Sequence, residues 1–170
     1  MHRALLELLA EQPFDTITGA QIAEQAGIGY ATFFRHYADV RALLADTVAA
    51  LTDDLARTMM PALLSSDSKG AATALVEAVA ARRPVFHSLL AGGGGALRAE
   101  LARQVIERVA ILPDLSPSWL PRRLAMRVGV TSTIEVLDWW LREEPERDPA
   151  EVAALLDRLV IGRLAEAAAE

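Results

Sequence analysis

The sequence predicts an all-α protein, and three observations carry that reading. Alanine and leucine supply 57 of the 170 residues, and both favour helix. No stretch shows sustained apolar/polar alternation built from β-branched and aromatic residues, so no strand is predicted. Proline and glycine then cut the chain into pieces of ordinary helical length.

The first predicted helix runs to Gln12, with Leu5, Leu6, Leu8 and Leu9 on one side, and stops before Pro13. Thr18 and Gln21 have the spacing of a capping box and open a short helix to about Gln25. Gly27 supplies a turn, and a second short helix follows from Gly29 to His36. Asp39 caps a long helix carrying Leu43, Leu44, Val48, Leu51 and Leu55, expected to end before Pro61. The serine-rich stretch 63–70 reads as a loop, 71–81 as a helix, and Pro84 as the first turn of another. Gly92 to Gly95 read as a connector, 96–112 as an amphipathic helix, 113–117 as a Pro/Ser-rich break and 119–142 as a long helix. Asp148, Pro149 and Glu151 form the start signal of a last helix bearing Val152, Leu155, Leu156, Leu159, Val160 and Leu164. This gives about nine helices, divided into a small unit over 1–45 and a larger one over 46–170.

Composition narrows the chemistry. The chain holds 17 basic and 23 acidic residues, a net charge of −6, so it is not a general polyanion binder of the basic-tail kind. Residues 1–60 carry Arg3, Arg35, Arg41 and Arg57 against eight acids, a net of −4. There is no cysteine, which excludes disulfides, thiolate nucleophiles and cysteine metal sites. Glu7 and Glu11 interrupt the first apolar run too early for a signal peptide, and no segment reaches the ~20 apolar residues of a membrane span. The expected address is the cytoplasm.

No enzymatic or metal chemistry is predicted, and no cofactor. His2, His36 and His87 are the only histidines, and none has a partner at metal-ligand helical spacing. Ser88 follows His87 directly, so on a helix the two side chains diverge. The glycine run lacks the Gly-Lys-Ser/Thr of a phosphate loop.

The informative pattern lies between Ile17 and Tyr37, where two short helices flank Ala26-Gly27-Ile28 in the helix-turn-helix arrangement. Ala23 is small where the helices must cross, and Ile22, Ile28 and Phe33 supply the apolar contact that fixes the crossing. The outer face of the second helix would then offer Tyr30, Ala31, Arg35 and His36 to a DNA major groove. Spacing alone leaves DNA binding and an ordinary packed helix pair equally open.

The stretch from Ala4 to Leu44, with Pro13-Phe14, Ile17-Thr18, Ile22-Ala23, Ala26-Gly27-Ile28-Gly29 and Ala31-Thr32-Phe33-Phe34-Arg35-His36-Tyr37, resembles the tetracycline-repressor (TetR) family of bacterial regulators over residues 4–55. The resemblance implies an all-α homodimer that binds double-stranded DNA at a near-palindromic operator, most simply as a repressor. It also implies a C-terminal domain that takes a small-molecule effector. It puts Thr18, Gly29, Tyr30, Ala31, Thr32, Arg35, His36, Tyr37 and Arg41 at the DNA interface, with Tyr30, Ala31 and Arg35 near base edges. Phe34 stands where a tyrosine commonly reaches phosphate, and Val40 and Ala20 where basic residues are frequent. The basic arm that many members carry does not precede the first helix, so either the natural start lies upstream of Met1 or DNA affinity is modest. A ligand-binding or interaction module of the same fold with weak or lost DNA binding is the alternative.

The larger unit offers two further expectations. A pocket is expected among the middle helices, walled by Phe86, His87, Leu90, Trp119, Met126 and Trp139, with Arg82, Arg83 and His87 available to an acidic ligand. Leu124, Val128, Thr131 and Glu135, with Ile134 and Asp138 on the same side, and Leu155 and Leu159 on the last helix, form the expected dimer face. Small Gly129, Ser132 and Gly162 would permit close helix crossings there; a monomer burying these stripes internally is the other possibility.

Overall fold

A computed structural model describes residues 1–91, 94–111 and 119–166. Every regular element among them is helical. Helix α1 (His2–Glu11) buries Ala4, Leu5, Leu8 and Leu9 and ends at the extended Gln12, since the residue before a proline is pushed out of helical geometry. A single 3-10 turn (Phe14–Thr16) then buries Phe14. Helix α2 (Gly19–Gln25) opens on the expected capping box: Gln21 N–H donates to Thr18 Oγ1 at 3.3 Å, and Thr18 N–H to Gln21 Oε1 at 2.8 Å. Helix α3 (Tyr30–His36) follows the turn at Gly27, whose φ of +66° is the left-handed conformation that favours glycine.

Helix α4 (Val40–Leu64) starts on Asp39, which accepts from Ala42 N–H at 2.8 Å, and runs unbroken through the boundary expected at 45/46. It also runs through Pro61, where the sequence suggested a stop. The proline lies in the last turn, so it removes one intrahelical bond where the ladder is already ending. Ser66 at φ 57° closes the helix by a Schellman arrangement, with Asp67 N–H on Ala62 O at 2.8 Å and Ser66 N–H on Leu63 O at 3.1 Å. Asp67 at once caps α5 (Ser68–Ala80) through Gly70 N–H, so the loop expected over 63–70 shrinks to three residues.

Helix α6 (Arg83–Ala91) restarts around Pro84 as expected, and α7 (Gly94–Val109) begins within the glycine run. Gly92 and Gly93, and the expected break at 113–117, lie outside the described residues. Helix α8 (Arg122–Arg142) starts behind Pro121, three residues later than expected. Asp148 caps α9 (Pro149–Leu156) through Ala150 N–H at 2.8 Å. The same helical run continues through a π-turn (Asp157–Ile161) into a final segment (Gly162–Glu166), so nine helices are described.

The core is continuous. Ile22, Phe33, Leu43 and Leu44 close the small unit, and α1 packs on α6 below it. Helix α5 sits centrally, burying Ala71, Ala72, Leu75, Val76 and Val79 between α4 and α9. Trp140 is fully buried, its indole N–H on Arg147 O at 3.1 Å and the Arg83 guanidinium 4.4 Å above its ring.

Candidate nucleic-acid interface and internal cavity

Helix α3 has one anchoring side and one open side. Phe33 is fully buried and stacks edge-on to Phe34 at 5.0 Å. Its ring lies so close to α2 that a Cβ on Gly19 would stand 2.9 Å from it, and Ala23, one turn further along α2, is buried as well. On the open side Tyr30 is 61% exposed and Phe34 46%, their rings 4.8 Å apart. Ala31, Arg35 and His36 are exposed beside them, with Thr32 half-buried. Arg35 Nη2 donates to Thr32 Oγ1 at 3.0 Å, which holds the guanidinium along the helix. Gly29 and Thr18 are exposed at the N-termini of α3 and α2; the Thr18 hydroxyl also donates to Gln21 Oε1 at 2.9 Å.

Two expected interface residues are engaged within the fold. Arg41 reaches Asp15 Oδ1 at 3.5 Å and lies 5.6 Å over the Phe14 ring. Tyr37 turns its hydroxyl toward α4, donating to Asp46 Oδ2 at 2.6 Å with His2 Nε2 at 3.2 Å. His2, singled out by nothing in the sequence, completes this cluster through Nδ1 and Thr47 Oγ1 at 2.8 Å.

A cavity of about 590 Å³ lies in the larger unit. Of the expected wall residues, Phe86, Leu90 and Met126 line it; His87, Trp119 and Trp139 do not. His87 is exposed, Trp119 is 68% exposed, and Trp139 lies 5.3 Å beneath the Arg147 guanidinium. Arg82 pairs with Asp54 and Arg83 donates to Pro145 O at 2.8 Å, so neither points a charge at the cavity. The larger part of the wall came unannounced: Val48, Leu51, Leu55 and Met59 of α4, and Leu101 and Val105 of α7. The signal was present in α4, whose apolar residues continue past the small unit, but a helix with an ordinary core stripe reads the same way.

The expected dimer face is partly exposed and partly not. Leu124, Val128, Thr131 and Glu135 form an exposed stripe at helical spacing on α8, and Leu159 is 64% exposed on the π-turn, with Leu155 half-buried before it. Ile134 and Asp138 belong to the interior instead: Ile134 lines the cavity, and Asp138 pairs with Arg98 at 2.6 Å and Arg142 at 3.3 Å. The 3.6-residue period turns positions 134 and 138 away from the 124–128–131–135 line. Gly129 and Gly162 also serve the chain itself, because a Cβ at 129 would stand 3.0 Å from Leu164 Cδ1 and one at 162 would stand 2.8 Å from Asp157 O.

Residues 3–47 match the model of the bacterial regulatory proteins of the tetR family. Three solved structures are similar over nearly the whole chain. The fatty acid degradation regulator FadR from Bacillus halodurans is 17% identical, covering 94% of this chain and 92% of its own, with TM-score 0.67. PfmR, a TetR-family regulator from Thermus thermophilus, is 18% identical over 94% and 92%, with TM-score 0.55. The repressor AlkX from Dietzia sp. strain DQ12-45-1b, implicated in biodegradation of n-alkanes, is 14% identical over 98% and 96%, with TM-score 0.54. This is the fold of a TetR-family transcriptional regulator. No curated protein matches the chain.

The matched stretch 3–47 takes in α2 and α3, which stand as its helix-turn-helix pair, with α3 the helix whose open side carries Tyr30 and Arg35. Among the described residues, no helix is long and apolar enough to cross a membrane.

Proposed function

We propose that the chain is a ligand-responsive TetR-family repressor that binds a near-palindromic operator as a homodimer and releases it when a small molecule occupies the cavity. The reading divides the chain into a DNA-binding unit over 1–45 and a ligand-binding and dimerisation unit over 46–170. One observation supports it above the others. Only three residues separate the end of α3 from the start of α4, which runs without interruption along the cavity wall, from Val48 to Leu63. A ligand that separates α4 from its neighbours therefore moves the recognition helix as well.

On this reading Tyr30, Ala31 and Arg35 face base edges in the major groove. Thr18, Gly29, Thr32, His36 and Arg41 lie toward the flanking phosphates, and Tyr37 supports α3 from behind. The stripe Leu124–Val128–Thr131–Glu135, with Leu155 and Leu159, covers its copy in the partner. That symmetry sets the two α3 helices about one DNA turn apart, ~34–36 Å. A ligand that fits only a different spacing draws the dimer off DNA by its differential affinity for that state.

The test is fluorescence anisotropy of the full chain on the duplex upstream of its own gene against a random duplex at low salt. A preference for the upstream duplex is expected; equal affinity for both overturns the proposal. A second reading, a module of this fold that no longer reads DNA, is favoured by the engagement of both Arg35 and Arg41 within the domain and by the net charge of −4 over residues 1–60. Arg35→Ala separates the two, since it leaves every DNA measurement unchanged if the second reading holds.

A further inference from the structure

We infer that the cavity takes an uncharged ligand built on a flexible aliphatic chain, laid lengthwise between α4 and α8. The inference rests on the proposal that the cavity is an effector site and names the chemical class of that effector.

Two helix stripes make more than half of the described wall. One runs along α4 from Val48 to Leu63 and the other along α8 from Arg122 to Leu137, and both repeat the i, i+3, i+4 spacing of a single helical face. Each stripe covers fifteen residues of helical rise, roughly 22 Å. Arg98 of α7 holds Asp138 near the end of α8 at 2.6 Å. At the other end Arg122 Nη2 donates to Ala110 O at 2.9 Å, just past α7. Helices α7 and α8 are therefore antiparallel, and α7 packs on both α4 and α8 while giving Leu101, Val105 and Val109 to the wall. The space between the stripes is a long slot, which suits an extended chain better than a compact or fused-ring ligand.

The slot is aliphatic rather than aromatic or polar. Phe86 is the one aromatic residue of the described lining, so a planar aromatic ligand finds a single ring to stack on. Met59, Met60 and Met126 lie in the wall, and their unbranched side chains adapt to a flexible chain better than branched ones do. The Thr52 hydroxyl is taken up by its own helix, Oγ1 donating to Val48 O at 2.8 Å. No lining side chain is among the buried polar atoms that lack a hydrogen-bond partner, so the wall makes no demand for a ligand studded with polar groups.

Neither sign of charge is provided for along the slot. No acidic residue belongs to the described lining, so a cation finds no countercharge. Arg122 is its one charged residue, stands at the end of the α8 stripe, and is committed to the fold, tying the start of α8 to the end of α7. At the opposite end the buried Asp138, next to Leu137, lies outside the lining and is paired with Arg98 and Arg142. Moving an ion out of water into such a wall without a partner is strongly unfavourable, whereas an aliphatic chain gains with every methylene buried. Ser66 is exposed and belongs to the lining just past Leu63, so the slot reaches solvent there and an uncharged polar terminus can stay in water.

The test uses the full purified chain, without DNA, titrated calorimetrically with linear primary alcohols from hexanol to dodecanol. Decanoate, decylammonium and naphthol, which share the carbon count of decanol, are titrated beside them. Alcohol affinity is expected to rise about fourfold per methylene along the series. Decanol should exceed decanoate and decylammonium by roughly tenfold or more, since neither ion finds a partner in the slot. It should also bind more tightly than naphthol. Ala56→Leu, which narrows the middle of the α4 stripe, should end the gain at a shorter chain with the circular dichroism unchanged. Decanoate or decylammonium matching decanol, naphthol binding more tightly than decanol, or an affinity of the native chain independent of alcohol length would each overturn the inference. If the alcohols bind as expected but do not release the operator duplex, the ligand class stands and the effector-controlled reading fails. If the operator is bound and released by another molecule while the alcohol series does not bind, the reverse holds.

Discussion

The Tyr37 hydroxyl donates to Asp46 Oδ2 at 2.6 Å, joining the last residue of the recognition segment to the second turn of α4. His2 meets the same pair from the start of α1, its Nε2 3.4 Å from that carboxylate oxygen. Three helices thus converge on one phenol. Tyr37→Phe keeps the ring against Phe33 and removes only the donor, so a loss of about 1–2 kcal/mol is expected, or roughly 2–8 °C in Tm for a chain of this size. The Asp46 bond, then burial, then the Asp46 charge push the Tyr37 pKa up to about 12. A phenol whose folded pKa lies above its unfolded value of ~10 contributes stability that is complete below pH ~10 and lost as pH climbs toward 12. Thermal melts from pH 8 to 12 should fall more steeply for the native chain than for Tyr37→Phe. Parallel curves would show that the bond contributes nothing.

Gly19 and Phe33 make a second prediction, about shape rather than charge. A methyl at 19 would stand 2.9 Å from Phe33 Cε1 and 3.0 Å from Cδ1, so the ring, which is fully buried, would have to shift. Gly19→Ala is expected to cost about 1–3 kcal/mol, as overpacking does, although alanine is the better helix former. DNA affinity should fall with it, because α3 is set against α2 through this contact. A stabilised Gly19→Ala protein, measured by urea unfolding, would contradict the crossing described here.

The fold was legible because its signals are local. Thr18 with Gln21, Asp39, and Asp148 with Pro149 each state a helix start within four residues, and each start was found where expected. The end of α4 was not, because Pro61 acts on one hydrogen bond while the closure of the helix depends on Ser66 and Asp67 beyond it. The open side of α3 was legible for the same local reason: burying Phe33 at one helical position turns Tyr30 and Phe34 outward. The cavity was only partly so. Phe86, Leu90 and Met126 were found from composition, whereas the α4 wall depends on how far α7 and α8 stand off, which no single segment encodes. Tyr37 and His2 show the same limit, since they meet across 35 residues of sequence.

Phe34 allows a prediction of gain. It is an exposed aromatic on the open side of α3, 4.8 Å from Tyr30, and it has no group to donate. Phe34→Tyr adds one phosphate-directed donor with little change in packing, and is expected to raise DNA affinity several-fold for operator and random duplex alike. Val40→Lys adds a charge at the start of α4 and should steepen the salt dependence by about one unit of slope. Arg35→Ala works in the opposite sense, weakening the operator by roughly tenfold or more while hardly touching random duplex. Anisotropy titrations of the three proteins between about 50 and 200 mM salt, a range over which counterion release is measurable, distinguish these effects. A Phe34→Tyr protein that improves only on the operator would mean that position 34 faces bases rather than phosphate.

Val128 and Leu159 bear on assembly. Both are large aliphatic side chains left open on the single chain, Leu159 64% exposed, and Val128 continues the stripe from Leu124 to Thr131 and Glu135. Because neither is buried within the chain, replacing either with glutamate should leave the monomer's own stability within about 0.5 kcal/mol. Placed twice across an isologous interface, the same charge meets its own copy after desolvation, which opposes association strongly. Val128→Glu and Leu159→Glu are therefore expected to sediment as monomers with unchanged circular dichroism, and to lose operator binding because one half-site no longer holds the other in place. A Val128→Glu protein that remains dimeric and binds the operator normally would move the interface to another face of the molecule.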